Sequence, residues 1–270
     1  MTFIDLSIAS RLEDASAWRS VRYAQAQDRL CLGTQSTVMA VGGGCAIYAG
    51  PGAPMSQAKG LGMSGPVTPE DLAAVARFYR SLGEIPRVDL CPLAHASLLD
   101  LLKQEGYRLE GFHSVLLLSI SEILEPVTPS SRVDVRSVAS DEAALWRRTV
   151  AQGFSEEDAP PQAMLDLIAP TFHSETATNF LAWVDGQPAG GGTMLVHKGV
   201  AEFCSASTRP AFRRRGVQRA LLYARLAAAR AAGCDLAMVI TVPGSASQRN
   251  VQRLGFQLAY TKAMMVGPPS

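Results

Sequence analysis

Three pairs of chain breakers recur at almost one interval, and that recurrence constrains the fold more than any other feature. Gly83 pairs with Gly233, Pro92 with Pro243 and Gly106 with Gly255, at separations of 150, 151 and 149 residues. Glycine and proline stop regular elements for backbone reasons, so repeated stops imply repeated elements. In the first copy Thr68 can cap a helix that Pro69 opens and Gly83 ends. Arg87–Leu90 reads as a short buried strand, and Leu98, Leu99, Leu101 and Leu102 form the apolar stripe of a second helix that stops at Gly106-Tyr107. Val115–Ile120 is then a closing strand. The second copy repeats the order: a helix over Val217–Ala232, a strand over Leu236–Val242, a shorter helix over Ala246–Leu254, and closing strands in Gln257–Val266. The competing reading is that any two α/β units share such punctuation, since the apolar period is generic. Pro126, Thr128, Pro129, Ser130 and Ser131 have the composition of a linker. The expected architecture is therefore α/β (α+β), with similar domains at 1–124 and 133–270 joined by a linker at 125–132.

The segment with the most chemistry is Ser205–Leu222. A strand ends near Pro210, three arginines and a glycine follow, and a long helix begins. The first N–H groups of a helix lack partners within it and carry the positive end of the macrodipole. Gly216 lets backbone approach a bulky anion, and Arg213, Arg214, Arg215 and Arg219 add charge around the opening, which together suits phosphates. A solvated basic surface is the plain alternative, but cations sit badly at a helix N-terminus unless an anion joins them. The formal net charge is +1, which provides no general field for nucleic acid or a membrane surface. The five cysteines lack C-x-x-C spacing, so neither a disulfide framework nor a metal site is expected. There is no leader-like start and no apolar run of about 18–20 residues that would span a bilayer. A cytoplasmic protein with a small-molecule partner is the expectation. Gly42-Gly43-Gly44 lacks dinucleotide-binding spacing and reads as a turn or bulge.

Arg213-Arg214-Arg215-Gly216-Val217-Gln218, after a strand and the proline turn at Pro210, resembles the [Q/R]-x-x-G-x-[G/A] hallmark of the GNAT superfamily of acyl-CoA-dependent N-acyltransferases. Gln218 departs from the small residue usual there. Gly244-Ser245-Ala246-Ser247-Gln248-Arg249-Asn250, leading to Leu254-Gly255-Phe256, is similar to the family's second loop and "GF" ending. The resemblance covers about Val133–Val266. It implies two tandem GNAT-like domains, each a mixed, mostly antiparallel sheet flanked by helices. Val133–Val138 would be the first strand and Asp141–Phe154 the first helix. Phe180–Val184 and Ala189–His197 would pair through Asp185-Gly186-Gln187. Val200–Thr208 would be the splayed strand whose backbone meets pantetheine around Ala206 and Thr208.

By the same resemblance, acetyl-CoA is the co-substrate, with no metal. Its contacts would be Ala206, Thr208, Arg213, Arg214, Arg215, Gly216, Val217, Gln218, Arg219, Ser247 and Asn250. Helix capping by Ser245 or Ser247 is the alternative for that loop. The implied reaction is direct attack of a small molecule's primary amine on the acetyl thioester, which requires a base, oxyanion donors and an acid. Glu202 is the candidate base. On an unbroken strand it would share its face with Cys204, Ala206 and Thr208, which a bulge would change. Val251 stands where the family often has its tyrosine acid, leaving Tyr260 and Tyr223 as substitutes, although a tyrosine so placed is more often a core or rim aromatic. Cys204 reads as packing rather than as an acyl carrier. Glu156, Glu157 and Asp158 follow the first helix, where the family's substrate loop lies; a plain acidic loop is the other reading. Arg213 maps by the repeat to Met63, in a neighbourhood without arginines. The first half is thus expected to be a degenerate GNAT-like domain without a CoA site. The alternative for the whole chain is a non-catalytic acyl-CoA-binding sensor.

Overall fold

In the computed structural model, residues 2–30, 33, 35–122 and 133–269 are described. The expected linker, 125–132, lies outside them. In chain order the elements are α1 (Leu6–Arg29), β1 (Thr37–Val41), β2 (Gly44–Tyr48), β3 (Ala58–Lys59), α2 (Pro69–Ser81), β4 (Arg87–Leu90), α3 (Ala96–Gln104), β5 (Arg108–Ser119), β6 (Asp134–Ser137), α4 (Ala143–Ser155), α5 (Gln162–Phe172), β7 (Ala177–Val184), β8 (Gln187–His197), β9 (Val200–Thr208), α6 (Val217–Ala231), β10 (Leu236–Thr241), α7 (Ala246–Gln252) and β11 (Gln257–Val266). The stops read from sequence hold in both copies. Strand β5 starts seven residues before the expected Val115, and α1 and α5 are elements that the punctuation did not announce.

Two compact units form, but they are not the consecutive stretches 1–124 and 133–270. One gathers Met1–Leu116, Thr241–Gln248 and Leu258–Ser270; the other gathers Leu117–Ile240 and Arg249–Gln257. Strand β11, the last strand in sequence, lies between β4 and β5 and groups with the first unit. It runs antiparallel to β4, with Ala263 opposite Leu90 and Val266 opposite Arg87.

In the first unit β1 and β2 form a hairpin closed by Gly42 and Gly43 at φ 56° and 77°, which is the turn that the triple glycine suggested. Strand β3 pairs antiparallel with β2 and parallel with β4. A core of Leu72, Val75, Tyr79, Val88, Leu98 and Leu102, among others, holds α2 and α3 on this sheet. Leu99, expected in the buried stripe of α3, is instead 45% exposed. The start of α2 is closed by its own residues: Thr68 Oγ1 accepts from the Asp71 N–H, and the Asp71 carboxylate accepts from the Thr68 N–H.

In the second unit β6, β7, β8 and β9 are successive antiparallel neighbours, and β9 pairs parallel with β10. Asp185 and Gly186, at φ 52° and 72°, make the expected tight turn between β7 and β8. Helix α4 packs through Trp146 and Val150 on Leu181, joined by Ile168 and Phe172 of α5. Glycines make this close packing possible. A Cβ at Gly191 would lie 2.8 Å from Val150 Cγ2, and one at Gly190 would lie 3.0 Å from Val217 Cγ1. Alternate glycines of β8 therefore admit α4 on one face and α6 on the other.

Candidate cofactor and acyl-transfer site

Strand β9 organises the site. It pairs with β10 only from Val200↔Leu236 to Glu202↔Met238, although β9 continues to Thr208 and β10 to Thr241. Past Glu202, β9 has no ladder partner in β10 among the described residues. Three residues further on, Ser205 takes φ 48°, and the register with β8 slips by one between Thr193↔Cys204 and Gly191↔Ser207. That one-residue bulge changes which side chains share a face.

Before the bulge, Cys204 lies opposite Thr193, whose hydroxyl donates to Asn179 Oδ1 at 2.7 Å; Asn179 Nδ2 in turn donates to the Phe172 carbonyl of α5 at 3.0 Å. Cys204, and with it Glu202, therefore faces the α4 and α5 side. After the bulge, Ala206 and Thr208 face α6. Ala206 Cβ is 3.4 Å from a Cβ placed on Gly192, which would also touch Arg225, and Thr208 Oγ1 accepts from Gln218 Nε2 at 2.8 Å. Glu202 does not share a face with Ala206 and Thr208. It stands at the vertex where β9 and β10 part, 3% exposed.

The turn between β9 and α6 places main-chain donors and cations together. Arg213 is extended, Arg214 has φ 62°, and Gly216 precedes the helix at φ 85° with nothing within 4 Å of a Cβ built there. Ala220 N–H makes the first bond of the helix, to the Gly216 carbonyl at 3.0 Å, and no side chain caps α6 among the described residues. The N–H groups of Val217, Gln218 and Arg219 thus have no acceptor within the helix. Val217 itself is buried against β8. This is the reverse of α2, whose first turn holds Glu70 and Asp71 and is capped by Thr68.

The arginines divide into two kinds. Arg213 Nη2 donates to Glu156 Oε1 at 2.8 Å and to the Gly153 carbonyl at 3.4 Å, and Arg215 Nη2 donates to Asp185 Oδ2 at 2.6 Å. Arg214 and Arg219 are exposed, and neither has an ion pair among the described residues. Glu156 was expected in a substrate or plain acidic loop and Asp185 in a turn; their pairing with the arginines, the close packing at Gly153 and the place of the bulge at Ser205 escaped the sequence reading. The glycine run in β8 is the one signal that could have announced close packing here. Arg209 escaped it too: it donates to the Pro188 carbonyl at 2.8 Å, and its guanidinium lies 5.3 Å from the centre of the Phe212 ring, tying the turn to β8.

Tyr260 lies on β11. It belongs to the first unit, where its hydroxyl donates to Glu13 Oε1 at 2.7 Å. Burial and the neighbouring Glu13 carboxylate both push its ionisation far above the ordinary tyrosine range, so it is committed to a buried network and is not retained as the acid. Ser247 groups with the first unit and Asn250 with the second. The cap in their loop is Ser245, whose Oγ accepts from the Gln248 N–H at 3.2 Å. No helix among the described residues is long and apolar enough to cross a membrane, and no group of three or more His, Cys, Asp or Glu that could hold a metal occurs among them.

The site thus joins a parallel strand pair that parts beside a bulge to a basic turn and a helix that no side chain caps among the described residues. Residues 142–256 match the family model described as "Acetyltransferase (GNAT) family", and this segment is a GNAT domain. The fold agrees across most of the chain. A GCN5-related N-acetyltransferase from Kribbella flavida superposes with a TM-score of 0.67 at 19% identity, covering 94% of this chain and 96% of that one. A tandem GNAT protein from the clavulanic acid biosynthesis pathway gives 0.56 at 13% identity, with 74% and 70% covered. A GCN5-related N-acetyltransferase from Sphaerobacter thermophilus gives 0.52 at 16% identity, with 69% and 61% covered. No curated protein matches the chain.

Proposed function

We propose that the second unit is an N-acyltransferase that moves an acetyl or similar acyl group from acyl-CoA to the primary amine of a small molecule. The observation that carries this reading is the parting of β9 from β10 after Glu202, beside a helix start that no side chain caps. The open β9 backbone around Ala206 and Thr208 suits an extended amide-bearing arm, and the N–H groups of Gly216–Arg219 suit a diphosphate. Arg214 and Arg219 supply charge without giving up an internal partner. Arg213 and Arg215 would exchange a carboxylate for a phosphate. Asn250 is retained as a further contact.

Acyl-CoA would bring the activated thioester carbonyl; the chain's own part is to orient it, remove a proton and stabilise charge. Glu202 is the proposed base. It stands where the strands part and faces the α4 and α5 side, and its burial keeps it from bulk water. Backbone N–H groups of β9 on the side turned toward β10 would suit an oxyanion, since fixed dipoles need no reorganisation as charge develops. The first unit would lack a CoA site: its corresponding turn, Leu61–Thr68, has no arginine, and the α2 start is already capped and acidic.

Thermal unfolding with acetyl-CoA tests binding, because a ligand of the native state raises the midpoint. Release of free thiol in the presence of an amine panel tests transfer. A midpoint that stays fixed at millimolar acetyl-CoA removes the reading. A raised midpoint without thiol release for any amine favours the sensor, the second reading, which gains from the commitment of Tyr260 to Glu13.

A further inference from the structure

Arg213 and Arg215 are each held by one exposed carboxylate, so either guanidinium can exchange that anion for a phosphate at small cost. The two carboxylates differ in what they are attached to. Asp185 sits in the tight turn between β7 and β8, whose strands are fixed by their ladder, and its release moves little beyond its own side chain. Glu156 ends α4 at φ 63°, a left-handed backbone that a residue with a Cβ adopts only when its surroundings hold it there. From Glu156 the chain runs through Glu157 and Asp158 to α5, the helix that packs beneath the Cys204 and Glu202 face. Gln152 Nε2 fixes the far side of this loop by donating to the Asp158 carbonyl at 2.7 Å. The Arg213–Glu156 pair is therefore the tie between the anion-binding turn and the acceptor-side loop.

We propose, resting on the cofactor reading above, that Glu156 is a positioning residue coupling the two ligands. A diphosphate that takes the Arg213 guanidinium frees the Glu156 carboxylate and relaxes the 155–161 loop, so cofactor occupancy sets how that loop receives the amine. The coupling is reciprocal, as any binding linkage must be. Asp185 is the internal control, because it neutralises an arginine of the same turn without belonging to the loop.

The experiment uses the full chain with CoA as the probe. It combines CoA affinity by calorimetry with hydrogen exchange of the 155–161 amides in the wild type, Glu156→Gln, Glu156→Asp and Asp185→Asn. Glu156→Gln and Asp185→Asn should each tighten CoA by about two- to fivefold at low salt, since each removes a competing charge. CoA should speed exchange of the loop in the wild type, in Asp185→Asn and in Glu156→Asp. In Glu156→Gln exchange should already be fast and should not respond. If wild type fails to bind CoA, the cofactor reading falls. If it binds CoA while loop exchange stays constant, or if Asp185→Asn loses the response as Glu156→Gln does, the coupling is overturned.

Discussion

Arg213 and Arg214 are neighbours in sequence and differ in company. Arg213 is engaged by Glu156 and the Gly153 carbonyl, whereas Arg214, like Arg219, is exposed and has no ion pair among the described residues. A phosphate therefore gains a whole new contact from Arg214 or Arg219 but only an exchanged one from Arg213. Arg214→Ala and Arg219→Ala are each expected to weaken CoA by about three- to tenfold at low salt, and Arg213→Ala by less, with smaller differences as salt rises. Titration calorimetry at two ionic strengths measures this, and a larger loss for Arg213→Ala than for the other two would contradict it. Glu202 supports a different kind of prediction. As a base it acts on the proton of the amine and not on the diphosphate, so Glu202→Gln should lower kcat by about a hundredfold or more while CoA affinity stays within about twofold. An unchanged kcat would return Glu202 to the role of a buried structural residue. The sequence could not decide its facing, because parity along an unbroken strand put Glu202 with Ala206 and Thr208. The slip at Ser205 reversed that, and nothing about a serine in Cys204-Ser205-Ala206 advertises a bulge.

Elements pack around the site through glycine. Gly153 lies in the last turns of α4, where replacement by alanine would ordinarily stabilise a helix by about 1 kcal/mol. Here the added Cβ would come 2.4 Å from Ser207 Oγ and 2.9 Å from the Thr208 backbone nitrogen. Backbone cannot step aside as a flexible side chain can, so the clash outweighs propensity, and Gly153→Ala is expected to cost about 1–3 kcal/mol of stability. It should also weaken CoA, because Ser207 and Thr208 belong to the open stretch of β9. Chemical denaturation with a CoA titration checks both, and a stabilised variant would show that α4 shifts freely. The breakers made α2, β4, α3, α6, β10 and α7 legible, since Gly83, Pro92, Gly233 and Pro243 act locally and need no tertiary context. Helix α5 was not legible: Pro170 lies inside it and argues against a helix, yet the fold retains it next to a buried Phe172. Strand β5 was found only at its apolar end, because Arg108–His113 is exposed or partly exposed and lacks the buried signature of Val115–Leu118. The turn into α6 was legible as chemistry, but its carboxylate partners lie 57 and 30 residues away and leave no local trace.

At the scale of the molecule the decisive fact is that the first unit is completed by the last strand. Strand β11 carries Lys262, fully buried, whose ammonium lies 3.1 Å from Glu13 Oε2 of α1 and 3.2 Å from Asp89 Oδ2 of β4; Lys59 adds a longer pair to Asp89 at 3.7 Å. Burial alone would push the Asp89 carboxyl up, but Lys262 and then Lys59 outweigh it and hold it below the usual range. Burial likewise would lower the Lys262 ammonium, and Glu13 and Asp89 hold it above its ordinary value. Asp89 thus contributes stability that is present above the unfolded carboxyl value of about 4 and is lost as pH falls through the lower folded one. Lys262 contributes stability that is present below its unfolded value near 10.4 and is lost as pH rises through the higher folded one. Between those limits His113 beside the network still titrates: burial holds its imidazole below the ordinary value, so its contribution falls away as pH drops through the unfolded value near 6.5. Removing one member is different: Lys262→Met takes the nearest cation from the buried Glu13 and Asp89, and is expected to cost about 3–5 kcal/mol, measured by urea unfolding at pH 7. The same network makes a prediction about fragments. A chain of residues 1–124 lacks the strand between β4 and β5 as well as both Tyr260 and Lys262, so Glu13 and Asp89 lose their principal partners together. Such a fragment should show no cooperative unfolding transition, and a peptide spanning 257–270 added in trans should restore one with a midpoint that rises with peptide concentration. A sharp, peptide-independent transition from 1–124 alone would mean that β11 is an ornament of the first unit's sheet. With β11 required, the repeat seen in the sequence does not mark two separable domains, because the closing strand of the second copy in sequence completes the first unit in space.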